Sequence, residues 1–226
     1  MDQPISVVDK LSYMLSSDER KKAGRFYFER DKKRFIVRHG VLRMILRCYL
    51  GLKADEMNFC YGQNGKPRLS RLFGNEAIFF SMSSSEDLAL YGFARNREIG
   101  VDVESIRAIP EMDHIANLIL SMREKEFYCS LPKDHRRKAF FTYWARKEAF
   151  LKATGEGLSR PFNKIELMFD FDEPTRCFVI DVDRKRLPVW SIFSFEPMPR
   201  FIAAVASDGV MGEIRFWQWA GAKIER

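Results

Sequence analysis

Hydrophobic positions along this chain change period several times, and each change marks an element. Over residues 41–50, Val41, Leu42, Ile45, Leu46 and Leu50 recur at helical spacing, with Gly51 placed to end the helix. Upstream, Ser16 can cap a helix whose first turn carries Asp18 and Glu19, where the helix dipole favours acids. Gly62, Asn64, Gly65 and Pro67 make a turn cluster, and short strands are predicted at 77–81, 88–94 and 99–104. Helical spacing returns over 115–120, again from Ser121, and over 138–154, which Gly155 and Gly157 close. Strands are then predicted at 164–171, 177–182, 189–195, 201–206 and 213–219.

Helix then strands, followed by helices then strands, is an α+β order with two halves, 1–104 and 105–226. The apolar runs 88–94 and 201–206 occupy comparable places in the two halves, a hint of internal duplication.

Composition narrows the partners. The 226 residues carry a formal net charge of +7, which favours anionic ligands: nucleic acid, phosphate-rich cofactors or acidic proteins. A basic segment from Arg20 to Arg47 with interleaved aromatics keeps a nucleic-acid module open at this point. The four cysteines, Cys48, Cys60, Cys129 and Cys177, form no Cys-x-x-Cys pair, so zinc and dithiol redox chemistry are not signalled and buried, reduced thiols are expected. The N-terminus lacks the pattern of a signal peptide, and no apolar stretch approaches the roughly 18 residues needed to span a bilayer, so a soluble cytoplasmic protein without a membrane partner is expected.

Two segments carry candidate chemistry. In Glu98-Ile99-Gly100-Val101-Asp102-Val103-Glu104 strict alternation puts Asp102 and Glu104 on one strand face, about 7 Å apart by strand rise and able to converge on a hard cation. The other reading is a half-exposed strand with a solvated polar face. Gly100 leaves a gap beside the acids. In the helix ending at Thr154, Trp144, Glu148 and Lys152 form one stripe. Trp144 favours burial, so Glu148 and Lys152 border a packed or cleft surface, and Lys147 adds a second ammonium suited to a metal-bound diphosphate.

Gly65-Lys66-Pro67, the strand 99–104 and the helix segment Trp144 to Lys152 together resemble the Sfp-type 4′-phosphopantetheinyl transferases. The likeness extends to Arg25-Phe26-Tyr27 and the stretch near Arg34. It implies two similar α+β halves with the active site between them, and Mg²⁺ held by Asp102, Glu104 and Glu148 on the coenzyme A pyrophosphate. Glu148 is then the base for a carrier serine, and Lys152 serves the leaving phosphate. Lys147, Lys66 with Pro67, Lys22 and Arg34 are the implied phosphate-binding positions. Family members usually show Asn-x-Ser-His-Ser where this chain has Ser81-Met82-Ser83-Ser84-Ser85, so Ser83 and Ser84 must serve coenzyme A without the histidine. The implied partner is an apo acyl or peptidyl carrier protein, typically acidic near its modified serine, served by a monomer and without nucleic acid. A different Mg²⁺-dependent phosphodiesterase uses the same carboxylates and stays open.

Overall fold

The computed structural model describes residues 1–52, 57–70, 78–169, 177–181, 190–221 and 223–225. Its helices are α1 (Ile5–Ser12), α2 (Ser17–Ala23), α3 (Glu29–Leu50), α4 (Met112–Ile119), α5 (Met122–Ser130) and α6 (Lys133–Thr154). Its strands are β1 (Phe59–Tyr61), β2 (Pro67–Leu69), β3 (Ile78–Ser85), β4 (Leu88–Arg95), β5 (Ile99–Ser105), β6 (Ile165–Phe169), β7 (Cys177–Asp181), β8 (Trp190–Phe195), β9 (Phe201–Asp208), β10 (Gln218–Ala220) and β11 (Lys223–Glu225). The α+β class is as expected. The ends of the predicted strands at 77, 170–171, 182 and 189 lie outside the described residues.

The chain forms two compact units, and their boundaries do not coincide with Glu104. β5 pairs antiparallel with β9 from Ile99↔Ser207 to Ser105↔Phe201, which keeps both sides of that position in one unit.

The first unit comprises Met1–Cys60, Leu69–Gly74 and Glu213–Arg226. Ser16 accepts a bond from the Glu19 backbone and Glu19 bonds back to the Ser16 N–H, so the cap expected from sequence is a complete capping box on α2. α3 begins well before the predicted 41–50, because Phe35, Ile36 and Val37 extend the buried face through Val41, Leu42 and Leu46. Gly40 lets α1 cross α3 closely: a Cβ there would stand 2.8 Å from the Leu11 Cβ and 2.9 Å from its carbonyl oxygen. The basic face of α3 is not wholly solvated. Arg43 is buried, bonded to Glu19 at 2.6 Å and to the Met57 carbonyl at 3.0 Å. Strand 213–219 is corrected: residues 211–217 are irregular, since Glu213, Arg215, Phe216 and Trp217 are all exposed and give alternation no face to bury. Only β10 is formed there, paired with β11.

The second unit comprises Tyr61–Arg68 and Asn75–Gly212. β5, β9 and β8 form an antiparallel sheet, with β9 central. α6 lies on it through Ala145, Ala149 and Ala153, all fully buried and spaced by four, against Ala204 and Ala206 of β9. Gly100 makes this approach possible: an added Cβ would fall 2.0 Å from the Ala149 carbonyl oxygen and 2.4 Å from the Ala153 nitrogen. Phe140, Phe150 and Leu151 of α6 join the same core with Ile165 and Trp190. β3 and β4 form a hairpin of eight paired positions, with Glu86 at φ 51 in its turn. β3 is tied to β5 by serine hydroxyls: Ser81 accepts from the Val101 N–H at 3.1 Å and Ser85 from the Ser105 N–H at 3.1 Å. The polar face of β5 is therefore interior, and the solvated-strand reading is excluded for Asp102, which is 3% exposed.

The expectation of buried thiols is also corrected. Cys48, Cys60 and Cys129 are exposed and form no disulfide among the described residues, and the Cys177 side chain is not described.

Candidate active site

Asp102 is the centre of a buried polar cluster. Ser83 donates to its Oδ1 at 2.8 Å, and Lys152 donates to the same oxygen at 2.6 Å and to the Ser83 hydroxyl at 2.9 Å. β3, β5 and α6 each contribute one side chain to this triangle. The second oxygen, Oδ2, is buried without a hydrogen-bond partner. Leaving a carboxylate oxygen in that state costs its desolvation, which a cation would offset. Burial pushes the Asp102 carboxyl above its usual range, against the pull of the Lys152 ammonium and the Ser83 hydroxyl.

Glu104 follows on the same strand face. It accepts from Ser85 at 3.3 Å, with Arg107 4.0 Å away. Burial pushes it up, and the like charge of Asp102 pushes it further. Glu148 projects from α6 one turn before Lys152. Burial raises it most, Lys152 pulls it back, and Asp102 raises it again. Asp102 therefore acts electrostatically on both glutamates.

The three carboxylates do not form a closed cage. Among the described residues no three His, Cys, Asp or Glu side chains are gathered closely enough to hold a metal ion. The charge of Asp102 is met instead by Lys152. The donors nonetheless suit a hard divalent cation in kind, being oxygen only, with one buried oxygen left open.

Several expected phosphate ligands are committed elsewhere, and for these the sequence reading is corrected. Lys147 is completely buried, with Glu124 at 2.6 Å and the carbonyls of Ile165, Ile119 and Phe162 at 2.7, 2.8 and 2.9 Å. Neighbouring helix residues point about 100° apart, so Lys147 enters the core while Glu148 faces β5. Lys66 donates to Glu98, Ile99 and Ala153, which occupies its ammonium. Pro67 opens β2, where its missing N–H is tolerated. Ser84 points away from Ser83 by strand alternation, opposite Ala89, so Ser83 alone of the two faces Asp102.

Lys22 and Arg34 belong to the first unit. Lys22 lines a cavity of about 570 Å³ with Asp18, Lys21, Arg25 and Phe26, and its ammonium lies 5.7 Å from the Phe35 ring centroid. Arg34 is held by Asp2 through two bonds of 3.0 Å, so a phosphate there would have to displace that carboxylate.

Sequence reading missed Glu98 and Asn64 as partners. Both stand inside segments that were singled out, but their contacts cross large sequence separations. Asn64 donates to the Gly155 and Glu156 carbonyls at 2.9 Å each.

A fold of this class carrying an acid and lysine site between a strand and a helix agrees with comparisons to known proteins. The family model described as the 4′-phosphopantetheinyl transferase superfamily matches residues 98–206. The 4′-phosphopantetheinyl transferase HetI of Nostoc sp. is 36% identical over 97% of this chain and 89% of its own length. The 4′-phosphopantetheinyl transferase Sfp of Bacillus subtilis is 27% identical over 76% of this chain and 75% of its own. A holo-(acyl-carrier-protein) synthase from Bacillus anthracis, solved in complex with CoA (3′,5′-ADP), aligns at a TM-score of 0.42 and 22% identity, over 49% of this chain and 94% of that one. The chain belongs to the 4′-phosphopantetheinyl transferase superfamily.

Proposed function

We propose that this chain transfers the 4′-phosphopantetheine group of coenzyme A to a serine of an apo acyl or peptidyl carrier protein, and that Asp102, Glu104 and Glu148 are the carboxylates that would hold Mg²⁺ together with the coenzyme A phosphates. The observation that carries the metal assignment is the buried, unpartnered Oδ2 of Asp102, whose other oxygen is already held by Ser83 and Lys152. Bound there, the ion would neutralise charge on the pyrophosphate oxygens.

Each residue has a defined task. Glu148 takes the proton of the carrier serine hydroxyl. The serine oxygen forms the new bond to the pantetheine-side phosphorus. The bond from that phosphorus to the bridging oxygen breaks, and adenosine 3′,5′-bisphosphate leaves with both electrons of the bond. Lys152, already an ammonium donor at this point, stabilises the leaving phosphate. Ser83 keeps Asp102 Oδ1 fixed so that Oδ2 stays available. Lys22 and Arg34 are proposed to take coenzyme A phosphates, Lys22 from its basic cavity and Arg34 in exchange for Asp2. In this reading the enzyme works as a monomer in the cytoplasm, and no helix among the described residues is long and apolar enough to cross a membrane.

The test incubates the protein with coenzyme A, an apo carrier protein and Mg²⁺ and weighs the carrier. A gain of one phosphopantetheine mass that requires Mg²⁺ is expected. Asp102→Ala and Glu148→Ala should abolish it, and Mg²⁺ should raise the Tm of the wild type but not of Asp102→Ala. Hydrolysis of coenzyme A with an unmodified carrier would instead make the protein a diesterase.

A further inference from the structure

We infer that Lys66 is a positioning residue: it clamps the C-terminal turn of α6 to the start of β5 and so sets where Glu148 and Lys152 stand relative to Asp102. The roles of those three side chains rest on the transferase reading; the clamp itself rests on geometry alone.

Lys66 lies 87 residues from the helix end that it holds. Its ammonium has three hydrogens and three acceptors: the Ala153 carbonyl at 2.6 Å, Glu98 Oε2 at 2.7 Å and the Ile99 carbonyl at 3.2 Å. Ala153 belongs to the last turn of α6, whose carbonyls have no partner within the helix. Ile99 opens β5. One ammonium thus joins the end of the element carrying Glu148 and Lys152 to the beginning of the element carrying Asp102 and Glu104.

Three further contacts make this a built joint. Asn64, two residues before Lys66, donates to both carbonyls that follow α6, Gly155 and Glu156, at 2.9 Å each. The turn holding Asn64 and Lys66 is itself closed by Gly62 N–H to the Lys66 carbonyl at 3.0 Å and by Gly65 N–H to the Gly62 carbonyl at 2.9 Å, with Gly65 at φ 79. Glu98 is held from its other oxygen by Arg68 at 2.5 Å. The clamped residue, Ala153, is the one whose backbone nitrogen would stand 2.4 Å from a Cβ on Gly100. Lys66 therefore fixes the helix where the strand admits it most closely. A slide of α6 by even 1 Å would move Lys152 off Asp102, and misplacement of that size costs about 100-fold in rate.

Steady-state kinetics on the full chain separate a clamp from a phosphate ligand. For Lys66→Met, kcat should fall about tenfold or more while KM for coenzyme A stays within about twofold. Glu98→Gln and Asn64→Ala should move kcat in the same direction, and Lys66→Arg should recover part of the loss. Amide hydrogen exchange over residues 151–155 should be faster in Lys66→Met than in the wild type. Should Lys66→Met fail to fold, Glu98→Gln and Asn64→Ala provide the same kcat and exchange readings. A rise in KM for coenzyme A with kcat kept, and no effect of Glu98→Gln, would make Lys66 a phosphate ligand and overturn the clamp. Unchanged exchange at 151–155 would overturn it as well, whether or not the wild type transfers phosphopantetheine. Absence of transfer by the wild type defeats the functional reading alone.

Discussion

Lys147 and Lys152 stand on one helix and meet opposite surroundings. Lys152 is about one-third exposed and shares its proton donors between Asp102 and Ser83. Lys147 is sealed among carbonyls and Glu124, which in turn accepts from the Leu167 N–H at 2.9 Å and closes the capping box of α5. Removing one member of a buried ion pair strands the other, so Lys147→Met should destabilise the protein by about 3 kcal/mol. Thermal melting checks this, and the folded fraction should keep its KM for coenzyme A. His39 is a second residue with a readable consequence. Its Nδ1 lies 3.0 Å from the Phe35 carbonyl and its ring stacks on Phe35 at 3.9 Å. Burial holds the imidazole down to about 4 from 6.5, with Arg38 adding to the effect and the Phe35 carbonyl opposing it. Between those values the unfolded chain takes a proton that the folded chain refuses, so stability present above pH 6.5 is lost as pH falls toward 4. The loss is on the order of 3 kcal/mol. Asp102, Glu104 and Glu148 act with the opposite sign, because folding raises their carboxyls and acid relieves the cost of their burial. Melting His39→Gln beside the wild type across this range isolates the imidazole: the variant should lose less stability on acidification, and identical slopes would refute the assignment.

At the scale of elements, the contact of α6 with β5 decides whether the site exists. A Cβ at Gly100 meets the backbone of Ala149 and Ala153, which cannot move without shifting the helix. At Gly92 the nearest obstacles are side-chain atoms of Val101 and Ile99, at 2.5 and 3.0 Å, which have more freedom to adjust. Gly100→Ala should therefore cost about 3 kcal/mol and lower the Tm by roughly 10 °C, more than Gly92→Ala does. Equal Tm values for the two would show that the helix is not seated on Gly100. Much of this contact was legible in the sequence. Alternation over 99–104 gave β5, and the acids were placed on the correct face. What alternation could not show was that the polar face is interior, because the serines that cover it come from β3, some 20 residues away. The burial of Lys147 was written in the phase of α6: Phe140, Tyr143, Lys147 and Phe150 follow one another at helical spacing, so the lysine interrupts an apolar stripe. Lys66 had no such signal, since its acceptors are mostly backbone carbonyls that carry no residue identity. Residues 213–217 show the reverse case, where apolar and charged residues in strand-like order lack a face to bury.

Over the whole molecule the dominant long-range quantity is charge: 38 Lys and Arg against 31 Asp and Glu, a formal net of +7. Many basic residues are already paired, among them Arg43 with Glu19, Lys147 with Glu124 and Lys66 with Glu98. At the surface the pairs are looser: Lys21 and Arg30, each 73% exposed at the side chain, stand 3.7 Å from Asp18 and Asp31. Such charges attract an acidic partner from a distance, and salt screens them, since the Debye length shrinks from about 10 Å at 0.1 M to about 3 Å at 1 M. Encounter is therefore expected to be salt-sensitive and the chemical step much less so, because Asp102, Lys152 and Glu148 interact across buried or half-buried space. With an acidic apo carrier protein, kcat/KM for the carrier should fall about tenfold or more between 0.05 and 0.5 M salt while kcat at saturation changes less than about twofold. A carrier whose acidic side chains near the target serine are replaced by neutral amides should lose that dependence. If kcat/KM for the acidic carrier is flat with salt, the net charge plays no part in recognition. If kcat falls in step with it, the screened charges lie in the reacting site.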